Sequence, residues 1–139
     1  MLIYDQLPVF KACYDLLLDV FLTTKNLNKE YKYTLGEDLK KEVIALLMGI
    51  YKANSYQDKR NMLQQARDRV EVIRLYIRLL FDLKQITLKR FVALNAKVEP
   101  VSKQLSGWHK TALSNAKNRN TQGKGSASHT ATADASVPD

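Results

Sequence analysis

The chain has 139 residues and carries 22 Lys and Arg against 14 Asp and Glu, a formal net charge of +8. This length suits one domain, or one domain with a tail, and a single cysteine excludes a disulfide-stapled secreted scaffold. The sequence contains neither an apolar run of about 18 residues nor a signal-peptide pattern, so we expect a cytoplasmic protein that does not span a membrane. The basic excess favours an acidic partner, above all nucleic acid.

The first predicted helix begins near Pro8, because a proline is tolerated in the first turn of a helix. Its apolar residues recur at spacings of three and four, which is the helical period. Further apolar residues lie outside this series, so we expect the helix to need a second packing partner. The series predicted to face the core is Leu7, Phe10, Tyr14, Leu17, Phe21 and Thr24.

The second and third predicted helices show the same period. Thr34 and Glu37 fit a capping box at the start of the second, and Ser55 with Asp58 fits a cap before the third. The predicted core series are Leu35, Leu39, Val43, Leu46, Ile50 and Ala53 in the second helix, and Leu63, Ala66, Val70, Ile73, Ile77 and Leu80 in the third.

The fourth predicted helix follows Thr87 as its cap and contains a proline, Pro100, which is expected to remove one backbone hydrogen bond and to kink the helix. Gly107 suggests either a close contact with another helix or the start of fraying. The predicted core series is Phe91, Leu94, Val98, Val101, Leu105 and Trp108.

Breaks at residues 26–32, 54–57 and 85–87 separate these four segments. Because the connections are short, the sequence predicts an all-α fold, an antiparallel up-down four-helix bundle spanning residues 1–113. Residues 114–139 are rich in Ser, Thr, Ala, Asn and Gly and are predicted to form a disordered polar tail. The surplus apolar surface predicts that the bundle oligomerises.

Catalytic and metal-binding constellations find little support in the sequence. His109 and His129 lack carboxylates or cysteines at ligand spacing, and Cys13 stands in an apolar part of the first helix. Asp15 and Asp19 share a helix face without the Glu-x-x-His partners of a carboxylate metal bundle. We therefore expect no enzymatic activity, no metal site and no cofactor.

The positive charge is concentrated in the second half of the predicted bundle. Residues 1–57 hold seven basic and seven acidic side chains, whereas residues 58–84 hold seven and four, and residues 87–110 hold five and one. Such a bias is expected of an anion-binding face, and is also compatible with a solvated basic surface. The residues predicted to bind nucleic acid or a partner are Arg60, Arg67, Arg74, Arg78, Lys84, Lys89 and Arg90.

Arg74 and Arg78 stand in the most apolar part of the third helix, where unpaired arginines would be costly to bury. Two interpretations are open. Either carboxylates neutralise them, with Glu71 as one intrahelical candidate, or they face water in a groove or channel where an anion binds. No residue pattern specifies bases, so we expect salt-sensitive binding that is mainly independent of sequence.

Several stretches resemble the Avd proteins, the accessory variability determinants of diversity-generating retroelements. The resemblance covers about residues 7–110, and includes LPVFKACYDLLLDV, YTLGEDLKKEVIALLMGIYKAN and IRLYIRLLFDLKQITLKRFVALNAKVEPVSKQLSGWHK. Its sharper pieces are the pair Arg74 and Arg78, the Asp-Leu-Lys segment at 82–84, and Gly107 with Trp108. Pro100 departs from the family pattern.

The resemblance implies a ring-like homopentamer of four-helix bundles with a positively charged channel. It implies a non-enzymatic accessory protein that binds a retroelement reverse transcriptase and its template RNA during mutagenic reverse transcription, with Arg74 and Arg78 as functional basic residues. The alternative is a four-helix protein of the ribosomal-RNA intervening-sequence type, with a structural or RNA-associated role and no polymerase partner. Such proteins usually carry Asn-Ile-Ala-Glu-Gly where this chain reads GIYKANS.

Overall fold

The computed structural model describes the backbone of residues 6–125 and the side chains of residues 6–120. Within that part of the chain all regular structure is helical, so the all-α prediction is confirmed. The short helix α2 lies inside the first predicted break and was not predicted. The helices are α1 (Pro8–Thr24), α2 (Lys29–Lys32), α3 (Leu35–Ser55), α4 (Arg60–Asp82) and α5 (Leu88–Gly125).

The four long helices pack around one apolar core. Each contacts two of the others, in the circuit α1, α3, α4, α5 and back to α1. The predicted core series of α4 is buried in full, and that of α3 is buried except that Gly36 replaces Leu35. In α5 the inner four of the six predicted residues are buried, while Phe91 and Trp108 pack at the margin of the core.

The predicted core series of α1 is only partly correct. Thr24 is buried, and Leu7, Phe10 and Leu17 pack against the margin of the core, whereas Tyr14 and Phe21 are 44% and 46% exposed. The other buried residues of the helix are Val9, Cys13, Leu16, Val20 and Thr23. Because α1 is apolar around most of its circumference, the helical period alone does not select one face. The face that is buried carries no aromatic side chain.

The predicted helix caps are partly correct. Thr87 caps α5 as predicted, since its Oγ1 accepts a hydrogen bond from the Arg90 amide at 3.1 Å. The capping box at Thr34 does not form, because Thr34 Oγ1 donates to the Glu30 carbonyl at 2.7 Å. The Glu37 carboxylate instead pairs with Lys40 at 2.6 Å.

Helix α4 ends in a Schellman motif. The amide of Lys84 donates to the carbonyl of Phe81, and the amide of Gln85 donates to the carbonyl of Leu80, both at 2.9 Å. This geometry requires a left-handed residue, and Lys84 takes that place with φ of 60°. The Gln85 side chain also accepts a hydrogen bond from the Asn28 amide at 2.9 Å, which joins this turn to the loop after α1.

Replacing Lys84 with glycine is expected to stabilise the protein by about 0.5–1 kcal/mol. A side chain in the left-handed region costs about 1–2 kcal/mol, and the greater freedom of glycine in the unfolded chain offsets part of the gain. Urea unfolding measures the difference. Lys84→Ala is the matched control, because it removes the same charge and keeps the strained backbone; equal stability of the two variants would contradict the prediction.

Helix α5 continues without a break through Pro100 and Gly107. Pro100 is exposed, as is Ala96, whose carbonyl loses its helical donor and is able to bond to water instead. A Cβ atom added at Gly107 would meet nothing within 4 Å, so neither a close helix contact nor fraying explains this glycine.

The predicted boundary between bundle and tail at residue 113 is not where the helix ends. Helix α5 extends to Gly125, so the prediction of disorder is wrong for residues 114–125; residues 126–139 lie outside the described part of the chain. Ala116 is buried in this extension, as is Ala112 just before it. The amino-acid composition did not reveal this helical extension. Small alanine side chains suffice for a close contact between helices, and adding turns to an existing helix costs little free energy.

Candidate nucleic-acid interface

Two of the predicted arginines, Arg67 and Arg74, lie on the side of α4 that faces α5. Arg67 Nη1 lies 3.1 Å from His109 Nδ1, and Arg74 Nη2 lies 2.9 Å from Glu99 Oε2. A guanidinium has only donors, so His109 Nδ1 accepts and the imidazole is neutral. Burial, and secondarily the charge of Arg67, lowers the pKa of His109 below its usual value. The heptad spacing of the arginines places both beside the same neighbouring helix.

Carboxylates neutralise Arg74 and Arg78. Arg74 also lies 3.5 Å from Glu71, and the Arg78 Nε atom lies 3.0 Å from Asp82. The Arg74 side chain is 29% exposed and that of Arg78 is 65% exposed. Of the two interpretations left open by the sequence, carboxylate pairing therefore describes these arginines in the unliganded bundle. Pairs of this exposure are weak, so an incoming phosphate competes with them at low cost.

Arg60 lies at the opposite end of α4. Its guanidinium forms a two-point contact with Asp58, with Nη2 at 2.8 Å from Oδ2 and Nε at 3.0 Å from Oδ1. The side-chain hydrogen bond from Arg60 is the largest cause that lowers the pKa of Asp58 to about 2, and Arg119 of α5 adds to it. This arginine is held in the turn before α4, away from Arg78.

The remaining three predicted residues lie near the turn between α4 and α5. Arg90 Nη1 pairs with Asp19 Oδ1 of α1 at 3.1 Å, so it ties the first helix to the last. Lys84 is exposed and fixed in the Schellman turn. Lys89 is exposed, and within the described side chains it forms no ion pair. The seven predicted residues are thus spread along the length of α4 and into α5 rather than gathered in one pocket.

A small polar groove separates α4 from α5 beside Arg67. It has a volume of about 130 Å³ and includes acidic as well as basic groups. Its polar lining consists of Gln64, Arg67, Asp68, Glu71, Ser102 and Ser106. Such a groove offers hydroxyl and amide groups next to one arginine, and its carboxylates oppose a deeply bound anion.

The predicted site stops at Arg90, although α5 continues with more basic residues than α4. The α5 sequence holds eight Lys and Arg and one acidic residue, Glu99, whereas α4 holds five and three. The charge count already showed this excess in the fourth predicted helix. The site prediction nevertheless favoured α4, because it followed the regular spacing of the arginines there.

Within residues 6–120, no group of three or more His, Cys, Asp or Glu side chains is placed to hold a metal ion. Cys13 is fully buried, and burial raises the pKa of its thiol to about 12, which keeps it protonated and unreactive. Among the described helices, none has the length and apolarity needed to cross a membrane.

The fold and its charges define a small helical-bundle protein with a basic surface on its last two long helices. A family model described as bAvd-like matches residues 2–112, which is most of the chain and nearly all of the bundle. The chain therefore belongs to the bAvd-like family. A search of curated proteins found no match.

Proposed function

We propose that this protein is a non-enzymatic accessory subunit of a diversity-generating retroelement, which binds the reverse transcriptase and its template RNA during mutagenic reverse transcription. The observation that carries the proposal is membership of the bAvd-like family across residues 2–112. The concentration of basic side chains in α4 and α5 supports it, because phosphate contacts supply most of the affinity in sequence-independent binding of nucleic acid.

The proposed architecture of one subunit is an antiparallel up-down bundle. Two cross-helix contacts support this topology, since residue numbers rise along α4 from Arg67 to Arg74 while their partners on α5 fall from His109 to Glu99. The Asn28–Gln85 hydrogen bond supports it too, by joining the end of α1 to the end of α4.

The proposed assembly is a homopentameric ring. Exposed apolar side chains on all four long helices support self-association, because a bundle of this size has more apolar surface than its own core covers. Leu75 of α4 is 66% exposed, and Tyr14, Leu18, Phe21 and Leu22 of α1 are also exposed. In the proposed ring, the basic side of each subunit would be repeated five times, which would raise the positive potential of a shared surface.

Within this assembly we assign Arg74 and Arg78 to contacts with the template RNA or the polymerase. Arginine suits this role because its forked donors match phosphate oxygens and its charge persists at all relevant pH values. Arg60, Arg67, Lys84, Lys89 and Arg90 are proposed to contribute to the same basic surface, with Arg60 and Arg90 also held by Asp58 and Asp19.

The test is co-purification of this chain with the reverse transcriptase and template-repeat RNA of its own retroelement. Wild-type protein is expected to retain both and, when purified alone, to elute with a mass five times that of the 15.9 kDa chain. Arg74→Ala with Arg78→Ala is expected to weaken RNA binding about tenfold, because two phosphate contacts are lost. The matched control, Lys52→Ala with Arg69→Ala, removes one charge on α3 and one on the side of α4 that faces α3, and is expected to change binding less than twofold.

Two results would contradict this proposal. A wild-type protein that retains neither RNA nor polymerase contradicts the function, and equal binding by both variants contradicts the assignment of Arg74 and Arg78. Genome neighbourhood separates the intervening-sequence alternative, because a retroelement accessory gene is expected beside a reverse transcriptase gene and paired template and variable repeats.

A further inference from the structure

The acidic content of α5 is confined to Glu99, and that carboxylate is engaged by Arg74 of α4 at 2.9 Å. The negative charge of α5 is therefore drawn toward the α4 side of the helix. Three lysines of the same helix, Lys89, Lys103 and Lys110, are exposed, and within the described side chains none of them forms an ion pair.

These three lysines share the solvent-facing side of α5. Lys103 and Lys110 are seven residues apart, and Lys89 precedes Lys103 by two heptads, so they lie within a narrow stripe that drifts by about 20° per heptad. The buried residues of the helix, among them Leu94 and Leu105, lie on the opposite side. We define Lys89, Lys103 and Lys110 as the α5 lysine stripe.

The surface between these lysines is lined by small residues, and its one carboxylate, Glu99, lies four residues before Lys103 and is turned toward Arg74 of α4 at 2.9 Å. Ala96, Pro100 and Gly107 all lie exposed between the first and last lysine of the stripe. At Gly107 even an added Cβ atom would meet nothing within 4 Å. Small residues at these places let the bulky phosphate backbone of a nucleic acid approach the helix closely.

The α5 lysine stripe differs energetically from the arginines of α4. A phosphate that binds Arg74 or Arg78 must first displace Glu99, Glu71 or Asp82. The lysines of the stripe have no ion-pair partner within the described side chains, so a phosphate that binds them displaces mainly water and mobile counterions, the favourable exchange that drives nucleic-acid binding. At 1.5 Å per residue the stripe is about 32 Å long, enough to follow several successive phosphates of one strand.

We propose that the α5 lysine stripe is a second RNA-binding surface, which binds the phosphates of single-stranded RNA without reading its sequence. It shares Lys89 with the basic surface proposed above, acts in addition to Arg74 and Arg78, and rests on the proposed RNA-binding function. A flexible ammonium group on each lysine suits a strand whose phosphates have no fixed spacing, whereas the paired guanidinium groups on α4 are held in place by their carboxylates.

The test compares two triple variants of the full chain with wild type by fluorescence anisotropy of a labelled oligouridine RNA of about 20 nucleotides, over a series of NaCl concentrations. Lys89→Gln, Lys103→Gln and Lys110→Gln together neutralise the stripe. We expect at least about tenfold weaker binding at low salt, and a salt slope that falls by about 2, since each phosphate contact on a single strand contributes about 0.7.

The matched control is Lys25→Gln, Lys41→Gln and Lys52→Gln. It lowers the net charge by the same amount at three exposed positions, one in the loop between α1 and α2 and two on α3. We expect its RNA affinity to remain within about threefold of wild type. Circular dichroism and size-exclusion light scattering should show unchanged folding and mass for both variants, because all six lysines are exposed.

The binding results test the stripe and the proposed function separately. Equal weakening in the two triple variants would mean that net charge alone governs binding, and would overturn the stripe as a site. Unchanged affinity of the α5 variant, or a change in its oligomer mass, would also overturn it, while RNA binding by wild type would leave the proposed function intact. Absence of RNA binding by wild type would overturn the proposed function itself, and the stripe with it.

Discussion

Replacing Leu105 with alanine is expected to destabilise the protein by about 2–5 kcal/mol, the largest effect of any single substitution considered for this fold. Leu105 is fully buried on α5, beyond Pro100, and belongs to the common core. The substitution removes buried methyl groups and leaves a cavity that a close-packed core fills only in part. Denaturant unfolding followed by circular dichroism measures the loss.

The matched control is Leu113→Ala on the same helix. Leu113 is 48% exposed, so its truncation is expected to cost less than about 0.5 kcal/mol. Similar stabilities for the two variants would mean that α5 does not pack beyond Pro100, and would contradict the course of this helix. A large difference would establish that an exposed proline is compatible with continuous packing on the opposite face.

Replacing Lys59 with methionine is expected to destabilise the protein by about 1–3 kcal/mol. The Lys59 ammonium donates hydrogen bonds to the carbonyl of Ala53, at 2.9 Å, and to the carbonyl of Tyr56, and it lies 6.0 Å from the centre of the Trp108 ring. It therefore satisfies carbonyl groups where α3 ends and also contacts α5. Methionine keeps much of the apolar stem and removes the donors, so partly buried carbonyl groups lose their partner.

Two measurements isolate this effect. Lys41→Met, at an exposed position on α3, is expected to change the free energy of unfolding by less than about 0.5 kcal/mol. Lys59→Arg keeps a cationic donor and is expected to lie between wild type and Lys59→Met. If Lys59→Met proves as stable as Lys41→Met, the carbonyl contacts contribute nothing to stability.

Helical periodicity predicted the core where one face of a helix is clearly more apolar than the other. In α4 the series from Leu63 to Leu80 is correct at each position, because charged residues fill much of the remaining surface. In α1 the same reasoning placed Tyr14 and Phe21 in the core although both are exposed, because apolar residues surround most of this helix. The choice among similar faces depends on the shapes of α3 and α5 opposite them, which a local pattern does not contain.

The sequence predicted the positive charge of the candidate interface, but not the ion pairs that its arginines form. The count of basic residues located the excess in the second half of the bundle, but the partners of Arg74 and Arg90 are Glu99 and Asp19, which are distant in sequence. Only the packing of α4 against α5, and of α5 against α1, brings these groups together. Sequence spacing therefore overestimated the unpaired charge on α4 and underestimated that on α5.

The closure of the bundle between α1 and α5 has a consequence for synthesis on the ribosome. Helices α1, α3 and α4 leave the exit tunnel first, and the place of α5 in their common core is still vacant at that time. Until residues as late as Leu105 emerge, partners such as Leu16 and Ile73 remain open to water on that side. The nascent chain thus exposes an apolar cleft until α5 has emerged, and its cooperative fold is completed only then.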